Sequence, residues 1–154
     1  MTYLTFQNVT KSYGDTKVVM PFNLNVAQGE FVAFLGPSGC GKTTLMRMVG
    51  GLEKPSSGTI SLRDEPLTRP DRRRGMVFQS YSAFPWLTVA GNVAYGMRYR
   101  TDISATEKRA QVSHFLSLVG LTDFADSWPN RISGGMRQRV AIARTLAAGS
   151  EILL

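Results

Sequence analysis

The chain has 154 residues, 43% of them hydrophobic and 19% charged, which suits one soluble globular domain with a core of its own. No apolar run approaches the ~20 residues that cross a bilayer, and Met1 to Asn8 lacks the charged and apolar regions of a signal peptide. With a single cysteine, Cys40, the chain forms no internal disulfide, and the expected compartment is the cytoplasm. The net charge of +7 suits nucleic acid, an anionic membrane surface or nucleotide phosphates. Apart from Arg72-Arg73-Arg74 the basic residues are dispersed and no aromatic-interleaved stripe occurs, which argues against nucleic acid and for a solvated basic surface near a membrane.

Residues 3–27 read as short strands in antiparallel hairpins: Leu4 and Phe6 alternate with polar neighbours, Ser12-Tyr13-Gly14-Asp15 is turn chemistry, and 18–20 and 22–26 favour β structure. Tyr13, at the edge of a turn, suits either stacking on a purine or plain hairpin packing. Phe31-Val32-Ala33-Phe34-Leu35 then reads as a buried strand, and Leu45, Met46, Met48 and Val49 as the apolar positions of a helix that ends at Gly50-Gly51.

Between that strand and that helix stands Gly36-Pro37-Ser38-Gly39-Cys40-Gly41-Lys42-Thr43, a full match to G-x-x-x-x-G-K-[ST]. Its glycines let successive backbone N–H groups turn inward around a polyphosphate, and the helix N-terminus behind them favours bound anions. In this pattern Lys42 reaches the β- and γ-phosphates and the Thr43 hydroxyl ligates Mg²⁺.

Residues 53–58 break the chain and 59–62 alternate as a half-buried strand, followed by a polar, proline-containing loop over 63–74. Gly75-Met76-Val77-Phe78 reads as a buried strand that delivers Gln79 to its C-terminal end, where ligands collect in open α/β sheets. The loop Ser80 to Leu87 carries three aromatics, more apolar surface than a water-exposed loop holds without packing on something.

Helical patterns follow. Val89, Val93, Ala94 and Met97 share a face, weakened by Gly91 and Gly96; Ser104-Ala105-Thr106-Glu107 is a capping box; and Val112, Phe115, Leu116 and Val119 form an apolar stripe. His114 lies beside that stripe without a carboxylate or cysteine cluster and reads as a surface or boundary histidine. Finally, Ser133 can cap a helix through Val140, Ile142, Ala143, Leu146 and Ala147, with Gly134 and Gly135 allowing close backbone approach: a second anion-binding helix end.

Taken in order, the phosphate loop, Gln79, the helical insert and Ile132-Ser133-Gly134-Gly135-Met136 resemble the nucleotide-binding subunit of ABC transporters. The run from Phe78 to Val89 with Asn92-Val93 is similar to the nitrate, sulfonate and taurine importer branch. The resemblance implies an α/β fold: a P-loop NTPase core of the ABC ATPase type with an antiparallel β subdomain and a helical insert. Residues 1–79 and 132–154 would form the core and 80–131 the insert.

It further implies that Tyr13 stacks on adenine, and that Gly36, Pro37, Ser38, Gly39, Cys40, Gly41, Lys42, Thr43 and Thr44 cradle the phosphates of ATP. Thr43 and Gln79 would hold Mg²⁺, Gln79 also sensing the attacking water, and Ser133, Gly134 and Gly135 would contact the ATP held by a second subunit of a head-to-tail dimer. Around Tyr81, Phe84 and Trp86 it implies a docking surface for a membrane permease, served in turn by a periplasmic or lipid-anchored substrate-binding protein, with no nucleic acid bound. The subunit would lie on the cytoplasmic face of the membrane, and the transported compound would be a small anion or an organosulfur or nitrogen compound.

The signature reads ISGGM where the general family pattern is LSGGQ, a variation familiar in this branch. Glu151-Ile152-Leu153-Leu154 enters the strand that in the family precedes the Walker B aspartate and the catalytic glutamate, so the domain is expected to be C-terminally incomplete. Lack of a general base typically slows a reaction by about 10²–10⁴-fold, so residues 1–154 alone are expected to bind nucleotide with little turnover. A nucleotide-binding chain that never hydrolyses, and a DNA-associated ABC ATPase, are the alternative readings; the Phe-Pro-Trp loop and the lack of long heptads favour the transporter.

Bulky alkylation of Cys40 is expected to block nucleotide binding, and MgATP to protect the thiol. Equal labelling rates with and without MgATP would place Cys40 outside the cradle.

Overall fold

A central strand with a neighbour on each side organises the N-terminal part of the chain in the computed structural model, which describes residues 2–78 and 83–154. Strand β1 (Thr2–Tyr13) pairs antiparallel with β2 (Thr16–Ala27) on one edge and with β3 (Ser57–Leu62) on the other, and β4 (Glu65–Pro66) completes the order β2-β1-β3-β4. The several short strands expected over 3–27 are thus two long ones, turning at Gly14-Asp15. What breaks their pattern is a bulge rather than a turn. Leu4 and Phe6 point into the core, and strict alternation would send Asn8 after them. Instead Asn8 takes φ 46°, the register slips between Phe6 and Val9, and Val9 is buried. The side chain of Asn23 on β2 pins the bulge: its Oδ1 accepts from Asn8 N at 2.7 Å and its Nδ2 donates to Asn8 Oδ1 at 3.1 Å.

Two further differences concern the neighbouring segments. The loop expected over 63–74 begins with a tight hairpin at Arg63-Asp64, both at positive φ (49° and 66°), which returns the chain as β4. The run 31–35, expected as a buried strand, is neither a strand nor buried: Phe31 and Leu35 are each 92% exposed. A strand needs a neighbour for its N–H and C=O groups, and no described strand pairs with it. Phe34 alone turns inward, edge-on to Phe22 at 6.1 Å.

Helix α1 (Lys42–Val49) closes the unit formed by residues 1–71. It buries Leu45, Met48 and Val49, while Leu4, Phe6, Val9, Val19, Ile60 and Leu62 are the buried apolar side chains of the sheet.

Residues 72–154 form a second unit, mainly helical: α2 (Val89–Gly96), α3 (Ala105–Leu118) and α4 (Gly134–Ala147), with single 3₁₀ turns at Thr122–Phe124 and Pro129–Arg131. Val89, Val93, Met97, Leu116, Leu121, Ile132, Val140, Ala143 and Ala147 make one core, and each large aliphatic among them contributes roughly 1.5–3 kcal/mol. The capping box that opens α3 is present: Ser104 N donates to Glu107 Oε2 at 2.7 Å and Glu107 N to Ser104 Oγ at 3.2 Å. Hydrogen bonding to Ser104 holds the Glu107 carboxyl below its ordinary pKa.

The expected buried strand at 75–78 is shorter than its sequence suggests. Strand β5 (Arg74–Gly75) runs parallel to β6 (Ile152–Leu153), and Leu154 N to Gly75 O and Val77 N to Leu154 O, each 2.8 Å, carry the ladder two residues further. With that one neighbour, Phe78 stays half exposed, and Gln79 and Tyr81 lie outside the described residues.

At eight residues α2 is too short to persist alone. Val89 N and Ala90 N, orphans of its first turn, donate to Ser127 O at 2.9 Å and Ala125 O at 2.8 Å. Gly96, a weakness in the sequence pattern, is what lets α2 lie on α4: a Cβ there would run into the carbonyl of Arg144. Gly96→Ala gains at most about 1 kcal/mol of helix propensity. A backbone carbonyl cannot rotate away as a side chain can, so the overpacking cost of about 1–3 kcal/mol wins. Urea unfolding of the variant is expected to show a lower midpoint at unchanged slope.

Candidate functional site

The phosphate loop is built against the hairpin. Gly41, the residue before α1, has φ 92°, and a Cβ on it would stand 2.8 Å from Val18 O on β2, so position 41 takes only glycine on both counts. Because the N-cap is Gly41, α1 has no side-chain cap, and its first-turn N–H groups are left facing the loop. Gly36, Pro37, Ser38, Gly39 and Cys40 are exposed, and Gly39 (φ 82°) has nothing within 4 Å of where a Cβ would lie.

Lys42 folds back over this loop. Its Nζ donates to Gly36 O and Pro37 O, both at 2.7 Å, and approaches Cys40 Sγ at 3.4 Å. Three donors of the ammonium are therefore aimed across the loop mouth, two at carbonyls and the third at a weak thiol acceptor. Thr43 is exposed in the first turn of α1 and its hydroxyl has no partner among the described residues, while Thr44 is half buried.

Tyr13 closes the tip of β1, 48% exposed. The Nζ of Lys11 lies 4.9 Å from its ring centroid and is fixed there by Glu53 at 2.8 Å and Lys54 O at 2.8 Å. Hydrogen bonding to Lys11 lowers the pKa of Glu53. The sequence reading missed this arrangement, although residues 11 and 13 share a strand face.

In the second unit Ser133 is the N-cap of α4, its Oγ accepting from Met136 N at 3.2 Å. The turn before it is tied down by Arg137, whose Nη1 donates to Pro129 O and Ile132 O at 3.2 Å. Gly135 has open space where a Cβ would stand, so nothing inside the chain requires glycine there. His114 is exposed and stacks edge-on to Phe115, and no metal-binding cluster occurs among the described residues.

The aromatic loop is packed, but on a polar support. Phe84 stacks on Trp86 at 5.3 Å and meets Tyr95 edge-on at 4.7 Å, leaving Trp86 68% exposed. Beneath them Asn92, fully buried, accepts from Phe84 N at 2.7 Å. Its Nδ2 donates to Phe84 O, Leu87 O and Thr88 O at 3.0–3.1 Å. Asn92 stood in the sequence only as part of a motif; its one signal was an amide on the apolar face of a short helix.

With this geometry in hand, comparison with known proteins gives a consistent result. Residues 19–154 match the family described as ABC transporter, and the chain belongs to that family. It is 50% identical over 151 residues to an ATP-binding protein of Brucella abortus, covering 98% of this chain and 58% of that one. It is 45% identical over 141 residues to a nitrate import ATP-binding protein of Synechocystis, covering 92% and 53%. A sulfate/thiosulfate import ATP-binding protein of Mycobacterium tuberculosis is 46% identical over 158 residues, covering 100% and 45%. The chain thus spans about half the length of the curated relatives it matches.

Among solved structures, a dimeric ATP-binding cassette in a post-hydrolysis state with ADP and Pi superposes with TM-score 0.83 at 36% identity, covering 97% of this chain and 72% of that one. The cbiO1 protein of Clostridium perfringens, part of the transporter complex cbiONQ, gives 0.89 at 29% identity, covering 99% and 64%. The α/β fold of the ABC ATPase type is the observed one. No helix among the described residues is long and apolar enough to cross a membrane.

Removing the cap hydroxyl by Ser133→Ala is expected to cost about 1 kcal/mol of stability and Ser133→Thr little, read as the midpoint of a thermal melt. Equal melting of Ser133→Ala and the parent would show that the hydroxyl does not support α4.

Proposed function

We propose that the chain is the ATP-binding part of an ATPase subunit that powers import of a small anion or an organosulfur or nitrogen compound. The observation that carries this reading is the uncapped N-terminus of α1 behind a loop whose mouth is spanned by Lys42. A polyphosphate brings oxygens that accept from the first-turn N–H groups of α1 and from the third Lys42 donor, which leaves only a weak thiol contact. The exposed residues Gly36 to Cys40 supply backbone for a cradle, and Tyr13 at the tip of the hairpin offers an aromatic face for the base.

Thr43 suits Mg²⁺ through its unpartnered hydroxyl, and Gln79 is the second residue we assign to it. The ion, when bound, neutralises charge on the phosphates. What the chain's own residues do is bind, orient and neutralise: Lys42 at the phosphate end, Thr43 and Thr44 at the start of α1, Gln79 toward the attacking water.

We assign Ser133, Gly134 and Gly135 to the ATP of a second subunit, head to tail. The Ser133 oxygen accepts from Met136 N, so its hydroxyl proton remains for an anionic oxygen, and the open space at Gly135 leaves room for a phosphate against the helix end. The dimeric state of a cassette structure similar to this chain agrees with that reading. Two relatives, a nitrate import and a sulfate/thiosulfate import ATP-binding protein, favour an anion importer, with a permease seated on the helical insert near Tyr81, Phe84 and Trp86 at the cytoplasmic face of the membrane.

Titration of the purified chain with MgATP is expected to show binding that weakens about 10- to 100-fold in Lys42→Ala, the worth of charge-assisted hydrogen bonds. The same affinity in both proteins overturns the reading.

A further inference from the structure

The helix capped by Ser133 and the aromatic loop meet at one side chain. Arg144 lies ten residues along α4 from its first residue, and its guanidinium carbon stands 4.4 Å from the ring centroid of Phe84. Its Nη1 also donates to Asn92 Oδ1 at 3.4 Å, the oxygen that accepts from Phe84 N. One cation thus grips the ring of Phe84 from one side and the amide that fixes the Phe84 backbone from the other. A cation over an aromatic face contributes more when it is desolvated. The guanidinium is half buried, and burial lowers its pKa from the ordinary arginine value.

The joint is also rigid. The backbone carbonyl of Arg144 occupies the space a Cβ on Gly96 would need, so α2 and α4 are in backbone contact where Arg144 emerges. Trp86 stacks on Phe84, and so this exposed aromatic rides on the same support.

We propose that Arg144 is a positioning residue that, together with Asn92, fixes the aromatic loop 84–88 to the Ser133-capped helix, so that the loop and α4 move as one body. The functional meaning rests on the reading given above, in which Ser133 faces a partner's ATP and the loop faces a permease. A rigid tie between them carries a displacement at the nucleotide end of α4 to the membrane-facing surface. Packed elements transmit such shifts because their contacts are discrete rather than continuously deformable.

The test uses the whole chain with Trp128→Phe, so that 5-fluorotryptophan reports Trp86 alone in a ¹⁹F spectrum. Arg144→Met is expected to move the Trp86 resonance toward its position in urea, and Arg144→Lys, which keeps a cation over Phe84, to recover at least half of that shift. Asn92→Asp keeps the acceptor and loses the Nδ2 donors, and it is expected to move the resonance in the same direction. Helical circular dichroism, measured alongside, keeps the comparison to folded protein. A Trp86 resonance in Arg144→Met that superimposes on the parent overturns the proposal, as does a shift that Arg144→Lys does not recover. MgATP binding is titrated on the same samples. Absence of Lys42-dependent binding overturns the functional reading, while the fluorine shifts still decide whether Arg144 positions the loop.

Discussion

Backbone polar groups that no regular ladder can take set the terms of this structure. An unpaired buried amide or carbonyl costs as much as a hydrogen bond lost, so each irregular segment must find a side chain, a neighbouring chain segment or water. The loop 84–88 finds Asn92, whose one amide group meets four backbone atoms, and α2 finds the carbonyls of 125 and 127 for its first turn. The bulge at Asn8 finds Asn23. The phosphate loop is the exception that makes a site: two of its carbonyls are taken by Lys42, but the helix N-terminus behind it is left uncapped for an anion to complete.

The two ends of the proposed chemistry use the same device in different settings. Both α1 and α4 present a helix N-terminus, with the partial positive charge that aligned peptide dipoles create. At α1 a glycine stands as N-cap, leaving the N–H groups available and placing the loop backbone against β2. At α4 a serine already accepts from the first turn, so the helix is stable without a ligand and its hydroxyl proton and the bare Gly135 surface remain for one. Charge elsewhere in the second unit is managed locally. Arg100 reaches Asp102 at 2.6 Å and holds that carboxyl far below the ordinary range, yet Asp102 is exposed to solvent, so the pair adds little to stability.

Much of the site was legible because its requirements are local. A glycine-rich octamer and a helical stripe fall within residues 36–49, and the capping box at 104–107 is written in four. Less legible were features that depend on what lies alongside. Phe31 to Leu35 has a strand's composition, and it stays exposed because no described strand pairs with it. Gly96 reads as a flaw in a helix until the carbonyl of Arg144 is seen against it. Arg144 itself looks like one more basic residue on a polar helix face, and Lys11 like a strand-surface lysine, until Phe84 and Tyr13 are found under them.

The sequence by itself therefore determined the family and the position of the phosphate loop and of the Ser133 helix. Each follows from backbone conformations and hydrogen-bonding groups carried by consecutive residues. Only the tertiary structure decided which groups meet across the fold: the Val18 carbonyl against Gly41, Lys11 over Tyr13, and Asn92 and Arg144 under the aromatic residues 84–86. Apart from Lys11 and Tyr13, neighbours on one strand face, those pairings join residues of different segments up to 60 positions apart, and packing distance, unlike local conformation, is not written in the order of neighbours along the chain.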